Sequence, residues 1–142
     1  MEISRSSYIL HNLTHITLPF AISSIFLFID SSLDAYDVLV VALLGGFAPD
    51  IDHINIWFEY KFENFRSFLR FVTTVRSYRY SFLIFHNLGT LIAIGLLIPI
   101  MSTISLLAAV FLTAFLAHLL LDFFTDKISI GRVTHWRYRR RT

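Results

Sequence analysis

The sequence predicts an all-α membrane protein: about four transmembrane helices, with an interfacial amphipathic helix between the second and the third. Three observations point there. Apolar residues make up 56% of the chain and include 15 phenylalanines, against roughly 45–50% apolar in an ordinary soluble domain. They gather into stretches of about twenty residues, the length a helix needs to cross a core of ~30 Å at ~1.5 Å per residue. The charged residues sit mostly in a few short segments. At 142 residues the chain allows one integral-membrane helical domain, 1–142. It has no cysteine, which excludes disulfides and thiolate ligands, so any metal would be held by imidazole and carboxylate. The net charge of +2 says little; the placement of the charges says more. The N-terminus shows no short apolar core followed by a small-residue cleavage site, so no removable signal peptide is expected.

The first span covers about 8–29 and carries His11 and His15 four residues apart, on one helical face. Pro19 and the Ser23-Ser24 pair can bend it, as membrane helices tolerate. A short loop follows with Asp30, Asp34 and Asp37 and no Lys or Arg. The second span, about 33–49, is barely long enough to cross, and Gly45-Gly46 near its end lets another helix come close. Pro49 is expected to stop it, lacking a donor N–H and restricting the residue before it. The chain then delivers Asp50, Asp52 and His53 at once.

From 54 to 80 the pattern changes. Phe58, Phe62, Phe65, Leu69 and Val72 recur at helical spacing, while Lys61, Arg66, Arg70 and Arg76 fall elsewhere on the wheel. With Trp57 and Tyr60 suited to the headgroup region, this reads as an amphipathic helix in the interface. It is either a plain anchor or a collector of anionic lipid. The third span, about 82–101, has His86-Asn87 in its first two turns and Pro99 near its end; Ser102 and Thr103 separate it from the fourth, about 104–124. Those two must form a tight antiparallel hairpin. The fourth carries His118 and Asp122, again four apart. The tail, 127–142, holds Arg132, Arg137, Arg139, Arg140 and Arg141 with Trp136 and Tyr138 among them. A juxtamembrane lipid anchor is the better reading of it than a nucleic-acid arm, and His135 is incidental.

Four spans put both termini on one side. The tail and the middle segment are rich in Lys and Arg and the first loop has acids only. By the positive-inside rule the multi-pass chain then lies in the cell membrane with both termini cytoplasmic. This topology brings His15, Asp50, Asp52, His53, His86, His118 and Asp122 to one depth on one side. Ionisable groups within spans mark function by default, and imidazole with carboxylate suits zinc, manganese or iron, whereas carboxylates alone would favour magnesium or calcium. The supply exceeds one tetrahedral shell, so two metals or a set of supporting groups are open. Bland readings stand beside this one: Asp50 as a helix N-cap, and His11 as an interfacial residue.

Taken in order, Thr14-His15, Ala48-Pro49-Asp50-Ile51-Asp52-His53, Phe85-His86 and Ala117-His118-Leu119-Leu120-Leu121-Asp122 resemble the YdjM-like family of membrane-bound metal-dependent hydrolases. That family is distantly similar to zinc-dependent phospholipases C and single-strand nucleases. The resemblance covers 15–125 and implies that His15, Asp50, Asp52, His53, His86, His118 and Asp122 form the family's polar signature. The chain departs from the family's His-Arg-Gly-x-Thr-His-Ser pattern before the third span: Ser81 stands where the first His is expected, and Asn87 replaces the final Ser.

The implied function is a membrane-embedded hydrolase dependent on a divalent metal, foremost zinc, acting on a phosphoester of a lipid or lipid-linked substrate. Asp52 or Asp122 would handle the attacking water, and Arg79 with Arg66 or Arg70 would hold the phosphate. The alternative is a non-enzymatic membrane protein whose His/Asp cluster is structural or transport-related. Membrane lipids are the expected partners and nucleic acid is not. No Gly-x-Ser-x-Gly elbow accompanies the missing cysteine, so a covalent nucleophile is not indicated.

Overall fold

The structure is a computed structural model and describes residues 5–74 and 83–130. Within them the chain forms α1 (Arg5–Ile29), α2 (Ala35–Phe47), a 3-10 segment (Ala48–His53), α3 (Ile54–Tyr60), α4 (Phe65–Thr74), α5 (Leu88–Ile104) and α6 (Leu106–Ile130). No strand occurs among the described residues. The segments Asn12–Ile29, Ala35–Tyr60 and Leu106–Thr125 are long and apolar enough to cross a membrane, and Leu88–Ile104 is a shorter apolar helix. The protein is an all-α membrane protein.

Local chemistry sets the helix ends. Asp34 caps α2 by accepting hydrogen bonds from the Tyr36 and Asp37 N–H groups at 2.9 and 3.0 Å, satisfying donors that the first turn leaves unpaired. Asn87 caps α5 from the Thr90 N–H at 2.9 Å, and its amide also donates to the Ile84 carbonyl. Asn64 caps α4 through the Ser67 N–H. Inside α1, Pro19 cannot donate to the carbonyl of His15, and the buried Ser23 hydroxyl donates to the Pro19 carbonyl at 2.8 Å.

The core is where α1, α2 and α6 meet, around Ile22, Val38, Ala42, Val110 and Ala114. Glycine permits the closest approaches. A Cβ on Gly45 would lie 2.3 Å from the Phe111 carbonyl oxygen of α6, and one on Gly46 would lie 2.7 Å from the Pro19 ring of α1. On the other side of α6, α5 packs Leu91 and Ile94 against Phe115 and Leu119. A second cluster, Ile56, Phe68 and Leu83, ties α3 and α4 to the start of 83–87. The outer surface is apolar: Phe28, Leu96, Ile100 and Ile104 are all exposed, as lipid-facing helices require.

Several element boundaries differ from those the sequence suggests. α2 ends at Phe47, just ahead of Pro49 as expected, but the chain does not leave helical geometry there: Pro49 lies in the first turn of the 3-10 segment, where a missing N–H does no harm. The region 54–80 is not one amphipathic helix. It breaks after Tyr60 at Lys61, whose left-handed backbone (φ 52°) caps α3, and α4 restarts at Phe65. Phe58, Phe65 and Leu69 are exposed, as residues of an interfacial apolar face can be, and Phe68 is the buried residue among the described side chains of α4. The third apolar stretch becomes helical only at Leu88, and Ser102 and Thr103 remain inside α5, with the break at Ser105. The basic segment begins within α6, which runs to Ile130. Arg76, Arg79, Ser81 and the arginines from Arg132 onward lie outside the described residues, as does the side chain of His11.

Candidate metal centre

Four stretches of chain supply the polar groups. In α6, one helical turn separates His118 from Asp122 and places both on the same face. α1 brings His15 against them: its Nε2 lies 3.0 Å from Asp122 Oδ1 and its Nδ1 lies 3.0 Å from His118 Nδ1. The 3-10 segment adds Asp50, Asp52 and His53. With three residues per turn, positions three apart eclipse, so Asp50 and His53 share a face (Oδ1 to Nδ1, 3.4 Å). Asp52, two along, is fully enclosed, and its Oδ1 lies 3.6 Å from the same His53 nitrogen.

Asp52 meets the irregular stretch 83–87. Its Oδ2 accepts the Phe85 N–H at 2.9 Å and the His86 N–H at 3.4 Å, and both of its oxygens lie 3.1 Å from His86 Nδ1. The opposite edge of that ring, Nε2, lies 3.0 Å from Asp122 Oδ2. Asp122 is thus the hub of the cluster. One of its oxygens faces His15, and the other faces His86 and, at 3.2 Å, His118 Nε2. Asp50 closes the ring at 3.5 Å from the same His118 nitrogen.

Asp52, His86 and His118 are each no more than 4% exposed, whereas half of the Asp50 side chain is open. All seven expected residues, His15, Asp50, Asp52, His53, His86, His118 and Asp122, therefore fall into one contact network. Arg66 and Arg70 lie on α4, where they line a surface pocket with Asn64 and Ser67. Two contributors were not put forward from the sequence. One is the Phe85 N–H that anchors Asp52, a backbone group that no side-chain pattern announces. The other is Asn87, whose role was legible in principle from an Asn standing just before an apolar run.

The donors suit a divalent cation. They fall into two sets, His15, His118 and Asp122, and Asp50, His53 and His86, each with ligand atoms all within 4.8 Å of one another. The buried His118 Nε2 has no aligned hydrogen-bond partner although two carboxylates stand beside it. A nitrogen in that position needs either a hydrogen or a cation between it and the carboxylates, and a divalent ion would meet that need. Imidazole with carboxylate is the donor mixture of zinc, manganese and iron sites.

Comparison with curated proteins and with solved structures finds no match. The model of the family described as YdjM inner membrane protein matches residues 10–131. That match takes in the whole cluster from His15 to Asp122 and nearly all of the helical framework holding it, so the chain belongs to the YdjM inner membrane protein family.

Proposed function

We propose that the protein is a membrane-embedded metal-dependent hydrolase acting on a phosphoester of a lipid or lipid-linked substrate, with zinc as its metal ahead of manganese or iron. One observation carries the reading: seven imidazoles and carboxylates from α1, the 3-10 segment, 83–87 and α6 meet at one place in an otherwise apolar bundle. Buried charge of this density is unfavourable unless it is put to use. A divalent ion bound there would polarise a phosphoryl oxygen and acidify a water.

The chain's own groups divide the remaining tasks. Asp122, at the hub, is the acid placed to orient or deprotonate the water, and Asp52 acts through His86, whose ring it holds. Arg66 and Arg70 on α4, with Arg79, hold the substrate phosphate in the headgroup region. Four spans with both termini cytoplasmic would set the cluster just beneath the inner leaflet surface, within reach of a lipid phosphate.

The test is phosphodiester hydrolysis by detergent-purified protein with zinc or manganese, using lipid substrates in mixed micelles. Asp122→Asn and His118→Ala should each lower turnover by at least ~100-fold with helicity retained, in the range usual for loss of a positioned acid–base group. Equal rates for wild type and both variants would end the hydrolase reading. The enclosure of His86 and His118 also suits a structural metal tie between helices, and metal bound stoichiometrically without turnover is the signature of that alternative.

A further inference from the structure

The hydrogens available in the cluster do not match its contacts. A neutral imidazole carries one N–H and one bare nitrogen. His15 and His118 touch each other through Nδ1, and each turns its Nε2 toward Asp122. Those three contacts need three hydrogens, and two neutral rings supply two. If His15 gives its hydrogen to Asp122, His118 must give its own to His15. His118 Nε2 is then a bare lone pair facing Asp122 and Asp50, and it is the nitrogen that lacks an aligned partner.

His86 repeats the shortfall independently. Its Nδ1 faces Asp52 and its Nε2 faces Asp122, two carboxylate contacts with one hydrogen between them. Asp52 is oriented by two backbone N–H groups and sits with both oxygens on Nδ1, so the hydrogen belongs on Nδ1. The bare nitrogen then faces Asp122. Among the described contacts, each donor set thus has one nitrogen–carboxylate contact more than its neutral rings can supply with a hydrogen. The sets also overlap through their acids: Asp122 belongs with His15 and His118 yet touches His86, and Asp50 belongs with His53 and His86 yet touches His118.

We propose that the cluster is two adjacent divalent-cation sites, one held by His15, His118 and Asp122 and the other by Asp50, His53 and His86. Asp50 and Asp122 link the two, and Asp52 is a positioning residue rather than a ligand. This deepens the reading of the cluster as a metal centre and rests on it. It does not depend on hydrolysis. Paired sites sharing carboxylates can clamp both the attacking and the leaving oxygen of a phosphoester, which accords with a phosphodiester as the substrate class.

The experiment is titration of the full chain, purified in detergent and stripped of metal, with Co2+. Visible absorption follows occupancy, and elemental analysis of the zinc form provides a second count. Wild type should reach two equivalents per chain. His15→Ala and His53→Ala should each retain one, and Asp52→Asn should retain two, with one held about 10- to 100-fold more weakly, the usual consequence of losing a group that orients a ligand. A wild-type endpoint at one equivalent overturns the pairing while leaving a metal centre. An endpoint of zero means that protons fill both gaps and overturns the metal centre as well. The wild-type endpoint decides between these even where a variant fails to fold, and loss of both equivalents in a folded His53→Ala variant also overturns the two-site division.

Discussion

Gly45→Ala tests whether the closeness of α2 and α6 sets the site. The added methyl would sit 2.3 Å from the Phe111 carbonyl oxygen and 3.0 Å from the Phe111 Cα and carbonyl carbon, against about 3.3–3.6 Å for an ordinary carbon–oxygen contact. The obstacle is backbone, so no rotamer change relieves it, and the helices must part by about 1 Å. A radial gap of about 0.5–1 Å forfeits a quarter to a half of each contact's attraction. Helices in lipid associate mainly through such packing. We therefore expect a loss near the upper end of the overpacking range, about 3 kcal/mol, read as reversible unfolding of the detergent-solubilised protein in a denaturing surfactant.

Gly95→Ala in α5 is the matched control. Its Cβ would meet nothing nearer than Leu116 Cδ2 at 4.0 Å, and alanine gains about 0.8–1 kcal/mol over glycine in a helix interior. That variant should equal or exceed wild type. Gly45 precedes Asp50 by little more than one turn, so the same displacement carries Asp50 away from His118, 3.5 Å distant, and metal affinity should fall with stability. Equal stability for Gly45→Ala and Gly95→Ala would refute the reasoning.

Other perturbations follow from single contacts. Asp34→Ala removes the cap of α2 and should lower stability by about 1 kcal/mol without changing metal stoichiometry, measured by the same unfolding assay. Asn87→Ala removes the cap of α5 and its clasp on the Ile84 carbonyl; a similar loss is expected, together with weaker metal binding because His86 is adjacent. Replacing Arg66 and Arg70 together with Gln should weaken binding of anionic lipid by about 1 kcal/mol per charge, followed by tryptophan quenching with brominated lipid, and added salt should abolish the difference. Asp30 is held below the usual carboxylate range by the Ser32 hydroxyl and then by the Ser32 N–H. Its contribution to stability is present at neutral pH and lost as the pH falls through the lowered value. Ser32→Ala should move the Asp30 titration, read by carboxyl NMR, part of the way back up.

The parts of the fold that depend on composition were legible. Long apolar stretches predict helices wherever water is absent, because only a helix satisfies the backbone within one segment. The pair His118 and Asp122 declared its shared face through its spacing, and Gly45-Gly46 declared a close crossing. What the sequence did not convey depends on the local choice of backbone. Asp50 and Asp52 were read together as ligands; both lie beside His53 Nδ1, at 3.4 and 3.6 Å, but the 3-10 turn also carries Asp52 onto the Phe85 N–H while Asp50 stays half open, and no periodicity over six residues distinguishes 3.0 from 3.6 residues per turn. The break at Lys61 was equally hidden, since a left-handed cap normally announces itself as glycine or asparagine. Helix spacing run through that break gave no sign that Phe68 would pack inward against Ile56 and Leu83.

The two departures from α-helix nearest the bundle, the 3-10 segment and 83–87, are also the two stretches that complete the cluster, and this coincidence has a physical basis. In lipid, irregular backbone persists only where protein or a polar recess satisfies its donors and acceptors. Here the two irregular stretches satisfy each other: the freed Phe85 and His86 N–H groups are taken up by the Asp52 carboxylate, which itself is presented by the 3-10 turn. An α-helical continuation through Asp52 would rotate that carboxylate away and leave both N–H groups and His86 Nδ1 without it. The joint holding 83–87 against the 3-10 segment and the joint aiming His86 at Asp122 are the same carboxylate. Asp52→Asn should therefore loosen the fold and the metal together: its amide can accept the Phe85 N–H on one oxygen but cannot receive His86 Nδ1–H and both backbone groups at once. Hydrogen exchange at the Phe85 and His86 amides, followed in the metal-free and metal-loaded forms, measures the coupling. Faster exchange at both in Asp52→Asn, restored in part by metal, is the expected result, and exchange unchanged from wild type would show that the backbone of 83–87 is held by other contacts.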